Sequence, residues 1–205
     1  MEVLADDDAG WERAVELWAS GALVAAPTDT IYGVAAPVSL PGVVARLFPL
    51  KQRDVSKPVA VLVADLDQAG SMIEISPHIV ALADHFWPGA LTIVAPRRAQ
   101  FRVDLGGAGE TVGVRCPDHP RLIEACRRLG PLATTSANRS GRATPADAAG
   151  VANELAGTEV AAVIDAGRLE GTASTVVRVG VDGVAVLRAG PIDEGILAAA
   201  VAHLA

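Results

Sequence analysis

The sequence of 205 residues predicts an α/β fold, and three observations carry that expectation. Apolar residues make up 51% of the chain, enough for one substantial core, and they come mainly from Ala, Val and Leu rather than from aromatics. Short apolar runs of strand length alternate with segments of helical spacing. The 20 Gly and 13 Pro imply many tight connections between short elements. No internal repeat, low-complexity tract or long Pro/Ser linker divides the chain, so residues 1–205 are expected to form a single domain.

Asp8 is placed to cap a first helix over 9–20, where Trp11, Val15 and Trp18 recur at core-facing spacing and Gly21 supplies the stop. The run 22–26, closed by Pro27, reads as a buried strand delivering the polar loop Thr28-Asp29-Thr30-Ile31-Tyr32-Gly33. Residues 43–50 fit a helix, and after the basic stretch from Lys51 to Lys57 the run 59–63 reads as a second buried strand. Ser76-Pro77 offers a cap and a first-turn proline for a helix that Trp87-Pro88-Gly89 closes, ahead of a strand at 90–95. Strands are expected at 111–116, 132–135 and 160–165, with helices starting near Asp118 and Thr144-Pro145 and stopping at Gly130 and Gly157. Residues 175–179 and 184–188 read as an antiparallel hairpin, and a last helix starts near Asp193. A hairpin beside strands separated by helices makes the sheet mixed.

Charge and composition narrow the function. With 17 Lys+Arg against 24 Asp+Glu the chain carries net −7, which disfavours RNA as its main ligand. Cys116 and Cys126 form no C-x-x-C pair, and His78, His85, His119 and His203 are scattered, so neither a zinc site nor a disulfide framework is suggested. A reducing cytoplasm fits that cysteine usage. No uncharged apolar run approaches the ~18 residues of a membrane helix, and residues 1–10 hold four acids and no base, so no membrane partner is expected.

Nucleotide signatures of the usual kind are missing: there is no G-x-x-x-x-G-K-[ST], and Gly107-Ala108-Gly109 does not continue into a dinucleotide fingerprint. A phosphate binder here must use side chains, and Lys51-Gln52-Arg53-Asp54-Val55-Ser56-Lys57 supplies three cations in seven residues. A solvated basic loop is the plainer reading of that spacing. The loop 28–33 offers hydroxyls, a carboxylate and a phenol for a small polar substrate, or only a local turn. Ala133-Thr134-Thr135-Ser136-Ala137-Asn138-Arg139-Ser140-Gly141 ends a strand in hydroxyls, an amide and a glycine, a composition able to wrap phosphate or ribose oxygens. Ser136 lacks the G-x-S-x-G context of a hydrolase nucleophile. Arg115, at the end of its strand, could clamp a carboxylate or form a surface ion pair.

Six segments together resemble the YrdC-like family in order and approximate spacing. They are Pro27 to Gly33, Lys51-Gln52-Arg53 with Lys57-Pro58, Trp87-Pro88-Gly89-Ala90-Leu91-Thr92, Val112-Gly113-Val114-Arg115, Ser136-Ala137-Asn138 and Ser174-Thr175-Val176-Val177. The resemblance covers about residues 10–192. It implies a twisted mixed parallel/antiparallel sheet flanked by helices around a concave, positively lined cavity. It also implies a threonylcarbamoyl-AMP synthase, a nucleotidyltransferase forming threonylcarbamoyl-adenylate and pyrophosphate from L-threonine, bicarbonate and ATP. Mg2+ would accompany the ATP, without a dedicated protein metal site. The product would feed threonylcarbamoyladenosine formation in tRNA, with the transfer machinery as partner.

Carried over by motif, Lys51 and Arg53 would be catalytic and, with Lys57, hold the ATP phosphates. Thr111, Ser136, Asn138, Thr144 and Arg188 would line the nucleotide. Thr30, Leu62, Arg115, Thr134 and Ser174 would bind L-threonine. The chain departs from the family pattern at Asp54, where many relatives have proline, and the acid lowers the charge of the phosphate cradle. Ending shortly after Arg188, the chain looks like a short form carrying the YrdC-like domain only. Two other readings are an enzyme adenylating or transferring another carbamoyl group, and a double-stranded RNA or ribosome-binding module, which needs a continuous basic face.

Overall fold

The computed structural model describes residues 1–50 and 58–204. In chain order the elements are β1 (Glu2–Ala5), α1 (Asp8–Ala19), β2 (Leu23–Ala26), β3 (Gly33–Pro37), α2 (Leu47–Leu50), β4 (Ala60–Leu62), α3 (Leu66–Gly70), α4 (Pro77–Phe86) and β5 (Leu91–Pro96). They continue as β6 (Thr111–Arg115), α5 (Pro120–Leu129), β7 (Leu132–Ser136), α6 (Ala148–Glu154), β8 (Val160–Asp165), β9 (Thr175–Gly180), β10 (Gly183–Arg188) and α7 (Glu194–Val201). The described strands form one sheet in the order β1-β8-β2-β3-β7-β4-β6-β5-β9-β10.

The sheet is mixed. β8 pairs in parallel with β1 and β2, as do β4 with β6 and β5 with β9. The pairs β2/β3, β3/β7, β4/β7, β5/β6 and β9/β10 are antiparallel. Two short strands were absent from the sequence expectation. β1 lies at the sheet edge with only Leu4 buried, so no alternation marks it. β3 is buried at every position and is built of Gly, Val, Ala and Pro, so it reads as the tail of the loop before it. The five-residue α3, capped by Asp65, was also unexpected.

Ser76 and Asp193 cap α4 and α7 as expected, while three other helices start one residue or more away from the expected sites. Asp7, not Asp8, accepts the Gly10 amide at 2.8 Å and caps α1. The cap of α5 is His119 rather than Asp118. Helix α6 opens at Asp147 rather than Thr144-Pro145, because the Thr144 hydroxyl is turned toward Asn138. The segment 43–50 is half 3-10 turn, over Val44–Arg46, before α2.

Trp11 and Trp18 lie in the core as expected, and the Trp18 indole N–H donates to the Ala35 carbonyl at 3.0 Å. That bond fixes α1 against β3, the strand that carries the polar loop's exit.

Candidate functional site

A cavity of about 620 Å³ lies over the sheet, within the size range of small-molecule sites. Its floor follows the two-residue period of the strands. Thr134 and Ser136 of β7, Ala60 and Leu62 of β4, Thr111, Gly113 and Arg115 of β6, and Thr92 and Val94 of β5 all line it. Val61, Ile93 and Val114, which lie between them, do not line it and are fully buried, although Thr135 of β7 also borders the cavity. The loop 28–33 forms one wall, and β9, β10 and the segments before and after them form another.

At one end stands Arg115, only 6% exposed. Its Nε donates to the Gly89 carbonyl at 2.9 Å, Nη1 to Thr30 Oγ1 at 2.9 Å, and Nη2 to Asp29 Oδ1 at 2.6 Å. The Trp87-Pro88-Gly89 stop thus supplies a carbonyl behind the guanidinium, and Gly89 N donates back to Cys116 O at 2.9 Å. Burial pulls the Arg115 pKa below the ordinary arginine value, and the Asp29 carboxylate offsets part of that. Arg115 is therefore not a surface ion pair but a buried one, with side chains 7% and 16% exposed. Leu62, paired in register with Arg115, adds an apolar wall beside it.

The loop that meets Arg115 is held by its own hydroxyls. Thr28 Oγ1 accepts from the Thr30 and Ile31 amides and donates to the Ile31 carbonyl at 2.7 Å, so the Thr30 proton faces Thr28 across 2.9 Å. Tyr32 presents no phenol to a substrate. Its hydroxyl donates to Gly167 O at 2.8 Å and accepts from Ala166 N, and burial raises its pKa. The phenol instead ties the loop to the exit of β8.

Further polar groups line the cavity past the end of β7 and around β5, β9 and β10. Asn138 Oδ1 accepts from Thr144 at 3.2 Å, while its amide donates to the Arg139 and Arg142 carbonyls. Ser174 and Thr92 hydroxyls lie 2.8 Å apart, and Arg188 donates to the Ser174 carbonyl through Nε and Nη2 and to its hydroxyl through Nη2. Arg142 also lines the cavity and was not foreseen; Glu154 of α6 holds it at 3.2 Å and accepts the Arg139 amide. Thr134 approaches closely because Gly33 opposite has no Cβ, which would sit 3.0 Å from its hydroxyl.

Thr30, Leu62, Thr111, Arg115, Thr134, Ser136, Asn138, Thr144, Ser174 and Arg188 all border this one cavity. Lys51, Arg53 and Lys57 lie outside the described residues; Pro58, the next in sequence, lines the cavity. Among the described lining residues the charged ones are Arg115, Arg142 and Arg188, with no carboxylate. That donor set does not suit a caged divalent cation, and no group of three or more His, Cys, Asp or Glu is clustered among the described residues. None of the described helices is long and apolar enough to cross a membrane.

The partnership of Asp29 with Arg115 escaped the sequence, since 86 residues separate them and no spacing rule links them. Glu154 escaped it as well, at 12 residues from Arg142 and 15 from Arg139.

The chain is similar to known proteins along most of its length. A Mycobacterium tuberculosis (strain CDC 1551 / Oshkosh) protein is 40% identical over 186 residues, covering 90% of this chain and 85% of its own. The threonylcarbamoyl-AMP synthase of Bacillus subtilis (strain 168) is 34% identical over 195 residues, 93% of this chain and 56% of that one. The crystal structure of P. abyssi Sua5 complexed with L-threonine superposes with a TM-score of 0.89 at 30% identity, covering 98% of this chain. This chain spans 60% of that one. Residues 16–190 match the Sua5/YciO/YrdC family model, described as "Telomere recombination". The chain belongs to the Sua5/YciO/YrdC family.

Proposed function

We propose that this chain joins L-threonine, bicarbonate and ATP into threonylcarbamoyl-adenylate and pyrophosphate, for threonylcarbamoyladenosine modification of tRNA in the cytoplasm. The observation that carries the reading is the shared cavity, lined by a buried guanidinium bonded to the Thr30 hydroxyl, by the Asn138-Thr144 pair, and by Arg188 bonded to Ser174. Relatives named threonylcarbamoyl-AMP synthase, and a family member crystallised with L-threonine, support it.

In this reading Arg115 and Thr30 hold the threonine carboxylate, with Leu62, Thr134 and Ser174 completing the pocket. Thr111, Ser136, Asn138, Thr144 and Arg188 hold the nucleotide. The threonine amine attacks bicarbonate, water leaves, and the carbamate oxygen displaces pyrophosphate from the α-phosphorus. No covalent enzyme intermediate is needed. Alignment of the three reactants in one site can supply about 7–11 kcal/mol of the barrier. Lys51, Arg53 and Lys57 offset charge on the triphosphate and the departing pyrophosphate. Magnesium enters bound to the triphosphate, as part of the substrate.

The test is pyrophosphate release by the purified chain with each reactant omitted in turn. Release is expected to need threonine, bicarbonate and ATP together, and to be slower with serine. Release that continues without threonine or without bicarbonate would contradict the proposal.

A further inference from the structure

An amino acid reaches the enzyme as a zwitterion, yet carbamate formation needs its free amine. An α-ammonium titrates at or above about 8, so at neutral pH a proton must be removed before the nitrogen can attack. The described cavity lining contains no carboxylate and no histidine to take it. Behind the lining, however, Asp29 sits on the same guanidinium that the threonine carboxylate would use.

Three of the five Arg115 N–H groups are engaged by Gly89, Thr30 and Asp29. One N–H on each of Nη1 and Nη2 is left, and a substrate carboxylate held there lies next to Asp29. The α-nitrogen, one carbon removed, is then within reach of the Asp29 carboxylate on the same guanidinium. Asp29 Oδ1 faces Arg115, and Oδ2 receives no bond from the described residues. The pair is complementary to a zwitterion: cation to carboxylate, anion to ammonium. A simple hydroxy acid would meet Asp29 with no compensating charge.

We infer that Asp29 receives the α-ammonium of the amino-acid substrate and takes its proton. The inference rests on the function proposed above and assigns a step within it. The ammonium passes one proton to the Asp29 carboxylate, giving a neutral amine and a carboxylic acid. The amine lone pair forms the N–C bond to bicarbonate, and the C–OH bond breaks. The departing hydroxyl takes a second proton from nitrogen and leaves as water, so that amine and bicarbonate yield carbamate and water. Asp29 then returns its proton to solvent.

The groups facing Asp29 leave a clean window for a pH test. Arg115 stays charged throughout. Burial pushes the Cys116 thiol up to about 11 and holds the His119 ring below its ordinary 6.5, and both couple to Asp29. Neither titrates between pH 7 and 9, where the substrate amine does.

Asp29→Asn keeps an oxygen for the Arg115 N–H but removes the charge and the proton acceptor; Asp29→Glu keeps both. Relative to wild type, Asp29→Asn is expected to lose roughly a hundredfold in kcat at pH 7, the usual scale for a lost general base. That deficit should shrink by about tenfold for each pH unit toward the amine pKa, since the substrate then arrives deprotonated. Asp29→Glu should retain more activity than Asp29→Asn at pH 7. Changes in bicarbonate speciation cancel in the ratio to wild type, and the pH 9 to pH 7 ratio within one preparation is independent of the fraction folded. Wild-type kcat in Asp29→Asn, or an equal deficit at both pH values, overturns the inference while leaving the proposed function standing. Threonine-independent pyrophosphate release by the wild type sinks both.

Discussion

Single side chains carry the chemistry, and two of them make sharp tests. The Arg115 and Asp29 side chains are only 7% and 16% exposed, so removing one leaves the other's charge without its partner in poor solvent. Arg115→Met is expected to lower the unfolding free energy by about 3–5 kcal/mol. Combining it with Asp29→Asn should recover part of that loss, because no lone buried charge then remains; urea unfolding of the four members of the cycle measures the coupling. His119 offers a pH test. Its ring lies 5.1 Å from Trp11, centroid to centroid, and its Nδ1 accepts the Leu122 amide as the cap of α5. Burial lowers its pKa, with Asp6 and Asp29 pulling the other way. The unfolded chain therefore binds this proton more readily than the folded one. The ring's contribution to stability is complete above its ordinary value of 6.5 and is lost as pH falls below it. Urea midpoints at pH 7.5 and 5 should differ less in His119→Asn than in the wild type.

Elements bring these side chains together, and here legibility from sequence was uneven. Long periodic segments were readable: α1 from Trp11, Val15 and Trp18, α4 from Ser76-Pro77, and the β9/β10 hairpin from its alternation. β3 was not, because a strand of small residues buried on both faces has no two-residue signal. Site residues were named from motifs, and strand alternation explains why motifs distant in the chain share a face. What sequence could not supply were partners across the sheet, such as Asp29 for Arg115 or Ser174 for Arg188. One close approach at this scale is testable. A Cβ on Gly171 would lie 2.1 Å from the Thr30 carbonyl oxygen, so the segment before β9 can rest on the loop 28–33 only through glycine. Gly171→Ala is expected to cost about 1–3 kcal/mol of stability and to raise the KM for threonine more than that for ATP. In the basic segment, Lys51→Ala or Arg53→Ala should nearly abolish pyrophosphate release without shifting the thermal midpoint, since neither opens a core cavity; steady-state kinetics beside a melting curve separates the two effects.

The whole molecule carries net −7, yet the charged residues among the described lining of its cavity are all arginines. Such a local reversal of sign concentrates an anionic substrate where the overall charge would repel it. The strand order brings the strands that bear the proposed threonine and nucleotide groups into one part of the sheet, so one hollow can serve both. L-threonine and ATP are expected to meet there. A crystal structure of the chain with L-threonine and a non-hydrolysable ATP analogue tests it most directly. The expected result has the threonine carboxylate on Arg115, its nitrogen beside Asp29, and the α-phosphate within the same cavity toward Ser136 and Asn138. Either ligand bound on a different surface, with Arg115 still engaged only by Asp29, Thr30 and Gly89, would contradict it.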